Sequence, residues 1–586
     1  MAAGRALRRV CGPAGRNIAF LAIAAVLIGC GTRHYRKSAD KDVYRIIEQV
    51  EAQVFKRTNA FTIDTPYSTR DPKTILPAEI VEDRMATNRR VINLRDALDL
   101  AVRKSREYQN QKEQLYLRAL ALTGQRHRFT PNFFASVNPS ASGDGNGNVD
   151  LDTLKPEVGF SQVFKSGGSL SVRLVNDLMR YYTGDPGTAA LSVMSVDIAQ
   201  PLLRGFGRNS DAVEALTQAQ RSLIYSIRSF DQYQRQFAVG IVNNYFGLLG
   251  QKDSVRNNYT NYLRRVETRR YTEARAVDRV RQSEVDDART QELNARIMYV
   301  NSLAQYMSQL DAFKVTLGLP LKEDLYLDDG DLRELSSAGL GAVPIDRDAA
   351  FRIAIAKHAD ILNAIDSFED AKRRVRLAAD KLKPGVRFQG SASYAVQDST
   401  NSWSYHYTRF NPDQFRYNFG LQIDLPLDRL AERNNYRGTL VDFERELRQL
   451  SLTLDNFKER IDRGLRTLEQ RRLNYISQLD ALEVARRRVE NDTLLLEAGR
   501  TDVQRLRQSQ DALIQAQNDL VFTMVDHLQA RLQVLLDLGV ITTDHPSFWL
   551  QDPLTAALDE SQLGPPPLQM PDDNPIPPNQ FLEPSS

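Results

Sequence analysis

One apolar repeat, spanning residues 433–496, constrains the fold more than any other feature of this sequence. Every seventh residue from Leu440 to Leu496 is apolar, which gives nine positions in one register, and no proline interrupts the run. A second apolar series begins at Tyr436 and shifts after Ile461, as an inserted stutter would require. A helix of this length measures roughly 95 Å at 1.5 Å per residue. Arginine and glutamate fill the intervening positions, which excludes a transmembrane span. The sequence therefore predicts a very long helix that packs against other long helices.

Composition narrows the class of protein. The chain has 586 residues, of which 42% are hydrophobic and 26% charged, and its mean hydropathy is -0.44. These values exclude wholesale disorder and a helical multi-span membrane protein. The formal net charge is +3, and removal of the first 29 residues would leave 73 basic against 74 acidic side chains. A chain so close to neutral gives no reason to expect nucleic-acid binding.

The first 29 residues have the layout of an export signal. Four arginines precede an apolar run from Ile18 to Ile28 that is too short for a stable membrane span. The run ends in Leu27-Ile28-Gly29-Cys30, which resembles the bacterial lipobox, whose cysteine is acylated after cleavage. That resemblance implies a lipid on Cys30, and Gly31 in place of a retention Asp points to the outer membrane. The alternative is an uncleaved anchor with a chance cysteine.

Changes of period divide the rest of the chain. We predict a tether at 30–90 with a short helix near Val43 to Phe55, a first repeat at 91–320, a linker at 321–344, a second repeat at 345–540, and a disordered Pro-rich tail at 541–586. Each repeat contains a helix of about 30 residues, then strands, a long helix, a turn and a second helix.

Seven landmarks recur in the same order in the two halves, which indicates a tandem duplication. The pairs are Arg95-Asp96-Ala97 with Arg347-Asp348-Ala349, Val196 with Leu421, Ile198 with Ile423, Pro201-Leu202 with Pro426-Leu427, Arg208-Asn209 with Arg433-Asn434, Arg281-Gln282-Ser283 with Arg507-Gln508-Ser509, and Leu317-Gly318 with Leu538-Gly539.

Strand patterns precede each long helix. In the second repeat, polar residues alternate with a set of apolar residues, namely Phe415, Tyr417, Phe419, Leu421 and Ile423. No second sheet is evident to cover this apolar face, so we predict that lipid covers it. The aromatic residues of the preceding loop, among them Trp403, have the composition of an interfacial girdle. The first repeat has four candidate strands between Phe133 and Gln200, two of which form a hairpin at 158–174.

Together these features resemble the TolC and OprM family of outer-membrane efflux proteins. The segment from Gln200 to Gly207 is similar to that family's strand-to-helix junction, with Pro201 and Pro426 at the two junctions. The resemblance implies a mainly α fold with a transmembrane β-barrel. It implies a homotrimer whose strands pool into one outer-membrane barrel and whose tandem-repeat coiled-coil helices form a periplasmic α-barrel. Each chain has too few strands to close a barrel alone, which independently favours pooling.

The resemblance also implies a function. The implied function is a passive exit duct, which is the outer-membrane channel of a tripartite efflux or type I secretion system. The implied partners are a periplasmic adaptor (membrane fusion) protein and an inner-membrane pump.

Two features depart from that family. The hairpin at 158–174 is additional, so it either enlarges the barrel or lies outside it. At the periplasmic tip the first repeat lacks the glycine that the second repeat has at Gly499, and arginines stand where the family often places an acid. These arginines are Arg279, Arg281, Arg505 and Arg507. We predict that one of each pair holds a gate or repels cations and that the other contacts an adaptor. The alternative is a solvated basic face paired with nearby acids such as Glu273, Asp278, Asp502 and Asp511.

No sequence motif favours an enzyme, a cofactor site or a metal site. The nucleophile elbow, the phosphate loop and the zinc-helix motif are missing, and the six histidines show no metal-ligand spacing. His527 falls on the seam of the last helix, which favours a packed core histidine over a ligand. The rival interpretation is a lipid-anchored coiled-coil scaffold without a pore. Such a scaffold requires no apolar-faced strands.

Overall fold

The structure is a computed structural model that describes residues 31–56, 60–143, 149–180, 188–275, 281–340, 345–398, 412–425, 427–498, 500–543 and 548–550. The predicted export signal, Cys30 and most of the predicted tail lie outside these residues. The described residues fall into two compact units. One comprises those within 1–63, Glu113–Ile227 and Arg373–Leu440, and the other those within Asp64–Lys112, Arg228–Lys372 and 441–586.

The described chain is mostly helical. Its helices are α1 (Thr32–Phe55), α2 (Pro77–Met85), α3 (Leu94–Lys104), α4 (Arg106–His127), α5 (Asp211–Arg275), α6 (Gln282–Thr316), α7 (Gly330–Ala338), α8 (Arg347–Lys357), α9 (Ala359–Asp380), α10 (Leu430–Glu497) and α11 (Val503–Asp537). Its strands are β1 (Arg89–Ile92), β2 (Asn132–Gly143), β3 (Val149–Val163), β4 (Ser169–Arg180), β5 (Thr188–Pro201), β6 (Asp324–Leu327), β7 (Gly385–Asp398) and β8 (Phe415–Asp424).

The two long helices predicted from the apolar repeats are confirmed. They are α5, with 65 residues, and α10, with 68. On α10 the predicted seam residues Ile461, Leu468 and Leu482 are buried, whereas Leu447 of the same register is exposed. The hydrophobic core of the second unit combines residues of α5, α10 and α11. Burial of one apolar stripe per helix therefore holds these helices together.

The predicted helix of about 30 residues that opens each repeat is wrong in one respect, because each is broken. In the first repeat α3 has 11 residues and α4 has 22, and in the second repeat α8 and α9 have the same two lengths. The breaks fall at Ser105 and His358, whose ψ angles are 125° and 124°. Asn93 caps α3 as predicted, accepting a hydrogen bond from the Asp96 amide at 2.8 Å.

A glycine turn packs against each break and explains it. After α6, the Leu319 amide donates to the Lys314 carbonyl and the Gly318 amide to the Val315 carbonyl, at 2.8 and 3.0 Å. This is the Schellman arrangement, which requires the positive φ of 75° at Gly318. A Cβ at Gly318 would lie 2.7 Å from the Lys104 carbonyl carbon. The backbone of the break and the glycine are therefore in direct contact.

The second repeat ends in the same way. Gly539 has a φ of 70°, and a Cβ there would lie 3.1 Å from the backbone of His358. The carbonyl oxygens of the two glycines each accept a hydrogen bond from an arginine, at 3.1 Å from Arg84 to Gly318 and at 2.7 Å from Arg235 to Gly539. The two repeats thus share one device for bending the helix.

Helix ends correct the register of two landmarks. Helices α6 and α11 both have 35 residues and both end before Leu-Gly, so Arg281 and Asp502 are the equivalent N-cap residues. Arg507 therefore lies inside α11 and is not the counterpart of Arg281. The match of Arg95 with Arg347 is one residue out of register, since the N-caps Asn93 and Asp346 correspond.

Three segments expected to be irregular contain regular or packed structure. In the tether, α1 is longer than the predicted short helix, and Tyr116 of α4 donates to its Asp40 at 2.7 Å. In the linker, β6 pairs in parallel with β1, and α7 follows. In the tail, Phe548 and Trp549 are buried, and the Trp549 ring lies 4.9 Å from that of Phe246. Aromatic burial outweighs the local Pro-rich composition there.

A six-stranded antiparallel sheet forms in the first unit. Its order is β2-β3-β4-β5-β7-β8, so four strands come from the first repeat and two from the second. Because β3 and β4 lie inside this order, the predicted hairpin is part of the sheet. Of the helices in the described ranges, none combines the length and apolarity needed to cross a bilayer.

Candidate functional site

The predicted lipid-facing residues lie on one exposed face of the sheet. Every residue of β8 is exposed, and Tyr417 and Phe419 expose 69% and 65% of their surface. Phe419 lies opposite Gly390, and Tyr417 lies opposite Ala392. Most of the surface of these two aromatic side chains is therefore open, although the Phe419 ring stacks on that of Phe388 at 6.2 Å.

The apolar face of β8 continues across the whole sheet. Following the strand pairing from Tyr417, the row of opposed residues is Tyr417, Ala392, Val196, Val172, Phe160 and Phe133. All six strands contribute one residue, and all six residues are apolar. Successive side chains of a strand point to opposite faces, so the row forms one continuous apolar band.

The neighbouring row lies on the other face and is wholly polar. Following the pairing from Asn418, it contains Asn418, Ser391, Asp197, Ser171, Ser161 and Asn132. An ion pair of 3.2 Å between Arg173 and Asp197 lies on this face, as does a hydrogen bond of 2.9 Å between Gln389 and Gln422. Over these two rows, the sheet therefore separates an apolar side from a polar, charged side.

The strand-to-helix junction after Pro201 is held by buried polar groups. Asp380 is buried and accepts hydrogen bonds from the Gly205 amide at 2.8 Å and the Asn209 side chain at 3.0 Å. The Lys383 ammonium also forms an ion pair with Asp380, with 2.7 Å between Nζ and Oδ1. Burial alone would raise the pKa of Asp380, but these donors outweigh burial and hold its pKa below the ordinary value. Pro426, at the second junction, lies outside the described residues.

The structure describes three of the five predicted tip residues. Arg279 and Gly499 lie outside the described ranges. Arg281 is exposed at the N-cap of α6, and Arg507 is partly buried in α11. Arg505 donates from Nε to Asp492 at 3.1 Å. Because Asp492 is fully buried on α10, this pair ties the two helices of the second repeat together.

Of the acids that the alternative interpretation assigned to these arginines, Glu273, Asp502 and Asp511 are described, whereas Asp278 lies outside the described ranges. Asp511 pairs with Arg265 of α5, and Glu273 pairs with Arg269. Arg265 is buried, and its burial lowers the pKa of its guanidinium. The Asp502 side chain caps α11 by accepting from the Arg505 amide at 2.8 Å.

A cavity of about 390 Å³ lies beside these groups. Arg265 and Arg507 line it together with Glu284, Asp287 and Asp502. Side chains of both charge signs therefore line the cavity. In the described ranges, no three His, Cys, Asp or Glu side chains group closely enough to hold a metal ion.

His527 is a packed core histidine, as predicted. It is 2% exposed, and its Nε2 has no hydrogen-bond partner among the described residues. Burial lowers its pKa from 6.5 to about 4, and the nearby Arg531 and Arg472 add to this effect, which Glu469 opposes. The pKa of His358 is also lowered to about 4, chiefly by burial.

Replacing His527 with glutamine should flatten the dependence of stability on pH. Since the folded pKa lies below the unfolded one, the unfolded chain binds the proton first as the pH falls. The stabilisation is therefore complete above pH 6.5 and is lost towards pH 4. That loss amounts to about 3 kcal/mol for one histidine. Thermal unfolding followed by circular dichroism at pH 4.5 and 7 measures it. The control His34→Gln changes an exposed histidine and should keep the wild-type slope; an unchanged slope for His527→Gln would contradict this prediction.

The fold is similar to solved structures of outer-membrane channels. The open-state Neisseria gonorrhoeae MtrE outer membrane channel matches with a TM-score of 0.56 and 13% identity, over 76% of this chain and 88% of that chain. The Campylobacter jejuni CmeC outer membrane channel matches with a TM-score of 0.56 and 14% identity, over 80% of this chain and 90% of that chain. The Vibrio cholerae outer membrane protein VceC matches with a TM-score of 0.55 and 13% identity, over 76% of this chain and 96% of that chain.

No protein-family model and no curated protein matches the sequence. The structural matches nevertheless cover most of this chain and nearly all of each channel. The resemblance found in the sequence is therefore confirmed at the level of the fold: the chain has the fold of the TolC and OprM outer-membrane channels.

Proposed function

We propose that three copies of this chain form a passive channel in the cell outer membrane, with the helices extending into the periplasm. The observation that carries the proposal is the pair of adjacent rows on the sheet, one wholly apolar and one wholly polar. Lipid would cover the apolar row, and water in the lumen would cover the polar row. Such a duct needs no catalytic group or cofactor.

The free edges of the sheet support pooling of strands from several copies. Within the described ranges, strands β2 and β8 are the two edges of the sheet, so each has backbone groups on one side that no other described strand pairs with. Unpaired backbone groups are too costly in lipid, and only a closed barrel removes them. Since β2 and β8 run antiparallel through the alternating order of the sheet, β8 of one copy can pair with β2 of the next.

The helices supply a second argument for copies side by side. Four apolar residues along α6 are about half exposed, namely Leu293, Val300, Met307 and Val315. Their counterparts on α11 are Ile514, Val521, Leu528 and Leu536, of which Val521 is partly buried and the others are buried. The same surface that is covered within the second repeat is therefore bare in the first. A neighbouring copy's helices would cover it.

The partners follow from the channel proposal. A periplasmic adaptor and an inner-membrane pump would deliver the cargo, in an efflux or type I secretion system. The structures of similar fold are described as outer membrane channels, which supports this role. A pore-free envelope scaffold is the alternative, and it gives no reason for the apolar band of the sheet.

We expect Cys30 to carry the lipid anchor, and its loss to leave the fold intact. One or two acyl chains add little to a protein that already inserts a barrel. Mass spectrometry of the mature N-terminus should find acylated Cys30 and none of residues 1–29. A chain that still begins at Met1 would contradict the assignment.

At the tip, Arg505 is proposed to hold the channel closed through Asp492, and Arg281 and Arg279 to face an adaptor. Arg507 would support α11 from the cavity side, and Gly499 would permit the turn. Planar-bilayer recordings of the purified protein should show channels, and Arg505→Ala should raise their conductance. Its loss leaves Asp492 buried without its closest partner, which weakens the contact between α10 and α11 by about 1–3 kcal/mol.

A matched control isolates this effect. Arg487 pairs with Glu483 at 3.9 Å on the exposed face of α10, where an ion pair contributes little. Arg487→Ala should therefore conduct like the wild type. Equal conductance of all three proteins would remove the gate from the proposal, whereas no conductance at all would favour the scaffold.

A further inference from the structure

The hairpin of β3 and β4 has the dimensions of full-length strands of the sheet. Strand β3 has 15 residues and β4 has 12, and both lie inside the sheet with a hydrogen-bonded neighbour on each side. Pairing of β4 with β5 continues over 12 successive residues, from Ser169 to Arg180. The hairpin is therefore not a short loop folded against the sheet.

The hairpin also follows the two-faced pattern of the other strands. Phe160 and Val172 belong to the apolar row, and Ser161 and Ser171 belong to the polar row. On the apolar face Val158 and Leu174 lie opposite each other and are 55% and 45% exposed. An isolated soluble hairpin would gain nothing from a bare apolar face that matches its neighbours.

The turn of the hairpin is fixed to the strand-to-helix junction. Ser166 exchanges hydrogen bonds with the Gln200 side chain at 2.7 and 3.1 Å, and its carbonyl accepts from the Gly207 amide at 2.9 Å. Gly167 has a φ of 87°, and a Cβ there would lie 3.2 Å from Pro201 and Ser210. The turn therefore ends at the level where β5 passes into α5.

We infer that the hairpin is part of the lipid-facing wall, so that each copy contributes six strands and a three-copy channel has an 18-stranded barrel. This inference rests on the proposed function and deepens it, because it sets the width of the duct. With the hairpin outside the wall, each copy would supply four strands and the barrel would have 12. At a strand spacing of about 4.8 Å and a tilt of about 40°, 18 strands close at a backbone radius of about 18 Å, and 12 strands at about 12 Å. The wider barrel admits bulkier cargo at the outer membrane.

Depth-matched labels test the position of the hairpin. Val172 and Tyr417 lie in the same apolar row, and Ser171 and Asn418 lie in the same polar row. Four variants carry one introduced cysteine each, Val172→Cys, Ser171→Cys, Tyr417→Cys and Asn418→Cys, and are labelled with bimane and reconstituted in vesicles. The parent chain, whose own cysteines are Cys11 and Cys30, is labelled in parallel and its signal subtracted. Lipids with brominated acyl chains then quench labels that face the bilayer.

The expected result is equal quenching at residues 172 and 417, about threefold stronger than at residues 171 and 418. Quenching at 417 without quenching at 172 would overturn the inference and leave the channel proposal intact. No quenching at either position would instead contradict the proposed function. Electron cryomicroscopy of the assembly in nanodiscs gives an independent count, since sections through the barrel show 18 or 12 strands.

Discussion

Arginine in place of Phe419 should remove most of the folded protein from the outer membrane, whereas arginine in place of the adjacent Asn418 should be tolerated. Phe419 lies on the apolar face of β8 and is 65% exposed, and Asn418 belongs to the polar row. A cation that faces midplane lipid costs about 2–4 kcal/mol in each copy, and every copy of the channel carries the change. The fraction of heat-modifiable protein in outer-membrane extracts measures the effect on gels.

The two substitutions introduce the same side chain at neighbouring positions, so the charge and size of the introduced group cannot explain a difference in outcome. Equal loss from both variants would show that β8 does not separate lipid from water. Equal tolerance would show that the apolar face is not in contact with lipid.

Alanine in place of Gly318 should destabilise the chain by about 2–6 kcal/mol. The positive φ of 75° strains any residue with a Cβ, by about 1–3 kcal/mol. The added Cβ would also collide with the Lys104 carbonyl, and overpacking of this kind costs about 1–3 kcal/mol more. Thermal unfolding in detergent, followed by circular dichroism, should show a large fall in the transition temperature.

Gly339 provides the control for this variant. Its φ is 69°, but no atom lies within 4 Å of a Cβ built there. Gly339→Ala therefore tests backbone strain alone and should cost about 1–3 kcal/mol. A loss for Gly318→Ala no larger than the backbone strain of about 1–3 kcal/mol would show that contact between Gly318 and the helix break contributes nothing to stability.

The parts of the fold that could be predicted from the sequence are those set by local patterns. The seam residues of α10 repeat every seven positions, and the apolar residues of β8 alternate with polar ones, so neighbours along the chain carry the signal. The burial of His527 followed from its place on such a seam. The alternation of side chains along a strand alone predicts that Phe419 and Asn418 lie on opposite faces of the sheet.

The breaks at Ser105 and His358 had no such local signal, because neither break contains proline or glycine. A glycine turn distant in sequence imposes each break by packing against it. The pairing of β1 with β6 is equally non-local, because helices α3 to α6 lie between them in the chain, and Arg90 contacts Glu323 at 2.8 Å. Tertiary contacts of this kind override local propensity.

At the tip, the recurring Arg-Gln-Ser triplet suggested a false equivalence. The helix caps and the Leu-Gly ends set the true register between the two repeats, in which Arg281 of the first repeat is equivalent to Asp502 of the second. Three matching residues are weak evidence beside the geometry of a 35-residue helix. In the tail, the adjacent aromatics Phe548 and Trp549 were the available signal, which the surrounding prolines obscured.

The two free edges of the sheet impose an order on biogenesis. Helices satisfy their own backbone hydrogen bonds and can form in a lone chain. Strands β2 and β8 cannot, and the bare apolar face beside them makes an unassembled sheet a template for aggregation. On the proposed function, a newly made copy therefore needs these edges shielded until they pair with those of its neighbours, so assembly would have to follow synthesis closely.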